Sequence, residues 1–237
     1  HLEKSDSLYK DLKLRTEEGK ALSNIGFVYS NIGDLNSAIE RISVAAGIMK
    51  ETNDMEGLAG VYNHFGIVLR EAGRFEKALE YYLLSQEIYK QKEDKNLMLP
   101  LISNIGNVYK DLKDYTKAED YHKEGLQLSR DLNARIEEVH LLLNLANDQI
   151  FLGKLDESLS NYETGLQKAK ILNSPDLIWR FIVGMAENFE RRGEYHKAVE
   201  LNDSALKILD GMRNSLKTRE QKSSFMSSER YVYEDII

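Results

Sequence analysis

Apolar residues recur at three- and four-residue spacing along most of the chain, as at Leu22, Ile25, Val28, Tyr29 and Ile32, and again at Ile102, Ile105, Val108, Tyr109 and Leu112. Each stripe is one face of an amphipathic helix. The stripes break at Gly33-Asp34, Gly73-Arg74, Lys113-Asp114, Gly153-Lys154 and Gly193-Glu194. Glycine there can take the left-handed conformation that ends a helix, and Asp can cap the next one. A second amphipathic stripe comes after each break. Polar turns such as Glu51-Thr52-Asn53-Asp54, Glu93-Asp94 and Asn173-Ser174-Pro175 close it, the last pairing a capping serine with proline at the first helical position. The pattern predicts helical hairpins throughout.

These hairpins repeat every forty residues. Gly33, Gly73, Lys113, Gly153 and Gly193 each stand two residues before Leu35, Phe75, Tyr115, Leu155 or Tyr195, and five residues before Ala38, Ala78, Ala118, Ser158 or Ala198. Gly26, Gly66, Gly106, Ala146 and Ala186 precede the same breaks by seven. A fixed period of this length marks a stacked array, each unit covering the apolar face of its neighbour. The expected units are residues 14–53, 54–93, 94–133, 134–173 and 174–213. Residues 1–13 read as the second helix of a preceding unit, since Leu2, Leu8 and Lys10 fall forty residues before Ile42, Ile48 and Lys50, so the chain reads as a fragment. Residues 214–237 read as a closing helix or a link to a following domain. The small residues at 26, 66, 106 and at 38, 78, 118 and 198 are expected where paired helices approach closely. Pro100 falls inside a first helix and is expected to delay its start or bend it.

The pattern Gly26-x2-Tyr29-x3-Gly33-x-Leu35-x2-Ala38, repeated as Gly106-x2-Tyr109-x5-Tyr115-x2-Ala118, resembles the tetratricopeptide repeat over nearly the whole chain. The units are longer than the shorter family form and lack its closing proline, which is similar to the variant in kinesin light chains and LGN-type polarity scaffolds. Lys113 and Ser158 depart from the glycine and alanine of the other units, and Gln149 stands where Tyr29 and Tyr109 do. The resemblance implies an all-α fold, a right-handed α-solenoid of antiparallel helix pairs whose first helices line a concave groove. A second resemblance lies in the tail, where Met212-Arg213, Arg219, Phe225 and Tyr231 to Ile237 are similar to the segment after such repeats in bacterial CHAT-domain proteins, a caspase-like protease fold. It implies that a catalytic Cys and His lie beyond Ile237 and that this chain is the recruiting or regulatory arm.

On the first helices one register aligns Asn24, His64, Asn104, Asn144 and Gly184, and the next Phe27, Ile67, Asn107, Asn147 and Glu187. Asparagine both donates to a peptide carbonyl and accepts from a peptide N–H, which suits holding an extended backbone. In the kinesin-light-chain and LGN-type groups, residues matching Asn24, Asn104 and Asn144 line the peptide groove, and the resemblance implies that role here. The alternative is that these amides cross-link neighbouring helices. One turn further, Arg70 and Lys110 put cations on the same side, with Glu71 and Asp111 close enough to neutralise them. Trp179, the only tryptophan, is a candidate anchor or a core residue.

Composition narrows the classes. With 2 prolines, 42 % hydrophobic and 30 % charged residues, the sequence describes a helix-rich soluble chain, with no apolar run of membrane-spanning length. A formal net charge of −7 over 237 residues offers no footprint for nucleic acid. Zero cysteines exclude disulfides and thiolate chemistry within the sequence without choosing between cytosol and periplasm; a cytoplasmic location is the expectation. The five histidines form no close pair, so no metal site is expected, and neither a phosphate loop nor a nucleophile elbow is present. The expectation is a non-enzymatic scaffold without cofactors that binds a protein or peptide segment in its groove. Its own C-terminal domain, in a protease, is the alternative occupant; a sensor module of a bacterial signalling protein is a third reading.

Overall fold

The computed structural model describes the backbone of residues 2–218, 221, 222 and 224, and the side chains from residue 11 onward. The tail residues Arg219, Phe225 and 231–237 lie outside the described residues, as does most of the expected closing helix. Among the described residues there are ten helices: α1 (Leu2–Asn31), α2 (Leu35–Glu51), α3 (Met55–Glu71), α4 (Phe75–Lys92), α5 (Lys95–Asp111), α6 (Tyr115–Asp131), α7 (Arg135–Phe151), α8 (Leu155–Ile171), α9 (Pro175–Arg191) and α10 (Tyr195–Ser215). The fold is an all-α helical repeat solenoid.

The turns explain the regularity. Gly33, Gly73, Gly153 and Gly193 have φ between 69° and 82°, and Lys113 takes the same conformation at 61°. After the break, Asp34 and Asp114 accept from the backbone N–H of Ser37 and Lys117. Between units, Asn53, Glu93, Asn133 and Asn173 also have positive φ. Asp54, Asp94 and Ser174 then cap α3, α5 and α9. No break separates residues 1–13 from the first full unit: α1 runs unbroken for 30 residues. The register gives the cause, because Lys13 and Leu14 stand forty residues before Asn53 and Asp54, so neither a left-handed residue nor a side-chain cap is supplied there. Pro100 does not delay α5 either; the helix starts at Lys95 under the Asp94 cap and carries Pro100 on an exposed side, where the carbonyl it leaves unpaired can turn to water.

The chain divides into two compact units, His1–Tyr121 and His122–Ile237. In the first, α1 packs on α2 and α3 on α4, while first helices meet directly as α1 on α3 and α3 on α5. In the second, α7 packs on α8, α9 on α10 and α7 on α9. Ala38, Ala78, Ala118 and Ala198 are buried at the expected close approaches. The two departures in unit 2 are compensated. Ser158 donates from its hydroxyl to the Ala146 carbonyl (2.9 Å), and Gln149 accepts from the Asn161 amide (2.8 Å).

A methyl group added at Gly66 would stand 2.5 Å from the Tyr82 ring, and that ring is itself only 1 % exposed. At Gly47, exposed on α2, the same methyl meets nothing within 4 Å. Both substitutions gain about 1 kcal/mol of helix propensity, but overpacking costs about 1–3 kcal/mol. Gly47→Ala should therefore raise the denaturation midpoint in urea and Gly66→Ala should lower it. Equal midpoints for the two would show that Tyr82 has room to move.

Candidate peptide-binding face

The first-helix face of unit 1 carries a ladder of polar pairs. Ser23 on α1 meets Nδ1 of His64 on α3 at 2.8 Å, and the His64 ring stacks on Phe27 with centroids 5.3 Å apart. Burial pushes the His64 pKa down from its ordinary value, so the neutral imidazole is the favoured form. Nδ2 of Asn104 on α5 donates to Oδ1 of Asn63 on α3 at 3.1 Å. Ser30 donates to Glu71, and the Arg70 guanidinium donates to Asp111. All four pairs join residues 41 apart. Alignment at the forty-residue period puts Asn24, His64 and Asn104 in one row, whereas the actual contacts run one residue diagonally, from Ser23 to His64 and from Asn63 to Asn104.

The expected site residues therefore differ in state. His64 and Asn104 are half-buried and cross-link neighbouring first helices, whereas Asn24 is exposed. Asn107 is half-buried on α5. Arg70 is committed to Asp111, and Lys110, half-buried beside them on α5, is engaged as well, so neither is a free cation. In unit 2, Asn144 and Asn147 are half-buried on α7. Asn147 accepts a 2.6 Å hydrogen bond from the Tyr162 hydroxyl, tying α7 to α8. Asparagine has capacity for four hydrogen bonds. Asn104 uses one N–H, and its carbonyl oxygen and second N–H have no protein partner among the described residues. Ser23, Asn63, Glu71 and Asp111 complete the ladder, and the forty-residue register does not single them out as site residues; polar pairs at a separation of 41 are the signal that does.

Trp179 is 2 % exposed, in a core with Ile182, Ala205 and Leu209, and presents no surface to a ligand. Among the described residues, no group of three or more His, Cys, Asp or Glu is arranged to hold a metal ion. No described helix is long and apolar enough to cross a membrane.

Hairpins of this period and packing define a class, and the sequence matches it: models of the tetratricopeptide repeat match residues 59–96 and 97–171. Residues 59–171 are tetratricopeptide repeats. No curated protein matches it in sequence. Among solved structures, it is similar to the nearly identical TPR-like repeats of a Podosopora anserina protein described as a putative kinesin light chain (14% identity, TM-score 0.73, covering 85% of this chain and 98% of that one). It is also similar to a signal transduction ATPase with numerous domains and a tetratricopeptide repeat sensor from Pyrococcus horikoshii (17%, 0.74, 90% and 35%). A third likeness is to a Rap protein complexed with competence and sporulation factor (17%, 0.66, 93% and 65%). The chain thus spans about a third of the second of these and about two thirds of the third. At such identities the likeness is one of fold.

Proposed function

We propose that the chain holds an extended protein segment against the first-helix face of its repeats, with half-buried amides as the backbone-reading groups. A protein-interaction scaffold is the role in which tetratricopeptide arrays serve. The observation that carries the finer reading is the Asn63–Asn104 pair: its own hydrogen bond fixes the Asn104 amide plane and leaves one acceptor and one donor. A strand-like segment alternates carbonyl and N–H groups, and a fixed amide offering both meets it with little further loss of side-chain freedom. The Rap protein, solved in complex with its factor, is an array of similar fold with a bound partner.

The test uses peptides selected from a random display library against the whole chain. In the double variant Asn104→Ala with Asn144→Ala, the selected peptides are expected to bind at least about tenfold more weakly, the equivalent of about 1.4 kcal/mol. The denaturation midpoint should fall only slightly, since one net hydrogen bond is worth about 1 kcal/mol. Selected peptides that bind the variant as well as the parent would move the site off this face.

A further inference from the structure

On unit 2, away from the first-helix amides, a cavity of about 420 Å³ is lined by Arg130 at the end of α6, Arg135 and Glu138 at the start of α7, and Lys168 and Ile171 at the end of α8. Three cations and one carboxylate line it, in a chain whose net charge is −7. The carboxylate is already shared. Glu138 accepts from Arg130 Nε at 2.9 Å and from Lys168 Nζ at 3.0 Å. Burial pushes its pKa up, but the hydrogen bonds from Arg130 and Lys168 together with their positive charges more than offset that and hold it below the ordinary range. Arg135 is exposed and has no ion-pair partner among the described residues. Of the flanking acids, Asp131 accepts from Gln127, and neither it nor Glu137 lines the cavity.

The cavity is local to this repeat. Forty residues earlier and later, the place of Glu138 is taken by Met98 and Ile178. One buried acid holding two cations at the mouth of a cavity is a poor way to stabilise a fold, since an apolar residue does the same at the neighbouring positions. Beside the cations, Ile171 is 76 % exposed, among the most exposed large apolar side chains of the chain. Charge and apolar surface thus sit together and lack a counterpart.

From this juxtaposition of Arg130, Arg135 and Lys168 with exposed Ile171 around one cavity, we infer a second docking site, for a carboxylate-bearing protein segment with an aliphatic side chain next to the acid. The acid lies between Arg135 and the Arg130–Lys168 pair, and the aliphatic group covers Ile171 and Leu172. Arg suits the carboxylate because its planar fork donates two parallel hydrogen bonds. The site goes beyond the amide face and needs none of its residues.

The probes are N-acetyl-L-leucine, which carries the carboxylate beside an isobutyl group, its carboxamide, and inorganic phosphate, each titrated into the isotope-labelled chain at millimolar concentration. N-acetyl-L-leucine should give saturable shifts of the backbone amide signals of Arg130, Val139, Lys168 and Leu172. The carboxamide should bind about fivefold more weakly, and phosphate should bind more weakly than N-acetyl-L-leucine. Glu138→Gln, which removes the competing anion, should tighten N-acetyl-L-leucine about threefold, whereas a merely structural role for Glu138 predicts weakening. Arg135→Gln, at an exposed position with no pair to lose, should weaken it about threefold and decides the matter if Glu138→Gln fails to fold. Absence of saturable shifts, equal binding of the carboxamide, or phosphate binding as tightly as N-acetyl-L-leucine overturns the site. Insensitivity to Arg135→Gln does the same.

Discussion

Replacing His122 by Ala is expected to cost about 3–5 kcal/mol of folding free energy, one of the two largest single-residue losses in the chain. His122 on α6 and Asp148 on α7 are both fully buried, with Nδ1 and Oδ2 2.5 Å apart. Nε2 of His122 has no hydrogen-bond partner among the described residues. Truncating the imidazole would take from Asp148 the hydrogen bond to its Oδ2 and open a void beside a fully buried carboxyl group, so a lost buried hydrogen bond adds to the lost packing. The repeat register shows what the fold accepts in the same places: Tyr82 and Tyr162, both buried, forty residues to either side of His122, and Val68 and Val108 in the register of Asp148. The double variant His122→Tyr with Asp148→Val should therefore recover most of the loss and match or exceed the parent. Urea unfolding of the single, the double and the parent separates the terms. A loss below about 1 kcal/mol for His122→Ala would mean that water reaches the pair and hydrates the carboxylate.

That pair also shows where sequence reading stops. Helix positions, turns and the close approaches at Ala38, Ala78 and Ala118 are legible because each is repeated, and five aligned copies average away the exceptions. A side chain that departs from the repeat is read only as a departure. His122 stands in the register of two buried tyrosines, yet in one sequence it resembles any other helical histidine, and its partner lies 26 residues away. Glu138 is similar: next to Glu137 it reads as a solvated acidic helix start, and only the fold brings Arg130 and Lys168 to it. The amide face is half legible. The period puts asparagines on the first helices and matches them straight across, whereas the packing of neighbouring first helices shifts the contacts by one residue and pairs Asn104 with Asn63 rather than with the residue in its own register. The unbroken α1 has a simpler cause. A forty-residue echo in apolar positions predicts a unit boundary there, but the boundary is made by the turn residues, and Lys13 and Leu14 do not supply them.

Trp179→Ala should cost about 3–5 kcal/mol as well, and where that loss appears matters as much as its size. The indole packs in α9 against Ala205 and Leu209 of α10, with Leu166, Leu201 and Met212 closing the cluster, and the Arg180 guanidinium lies 4.7 Å from its ring centroid. Repeat arrays lose stability repeat by repeat, because each unit leans on its neighbours. The truncation should accordingly accelerate amide hydrogen exchange first in α9 and α10, ahead of α7. Two terms then set the size for a milder change. The indole N–H is buried with no acceptor among the described residues, a cost of about 1–3 kcal/mol already present in the parent. Trp179→Phe removes that donor while giving up part of the ring, so the two contributions oppose each other and the variant should lie within about 1 kcal/mol of the parent, far from Ala. If Trp179→Ala instead left unfolding unchanged and abolished binding of the selected peptides, the indole would be a surface anchor and its assignment to the core would fail.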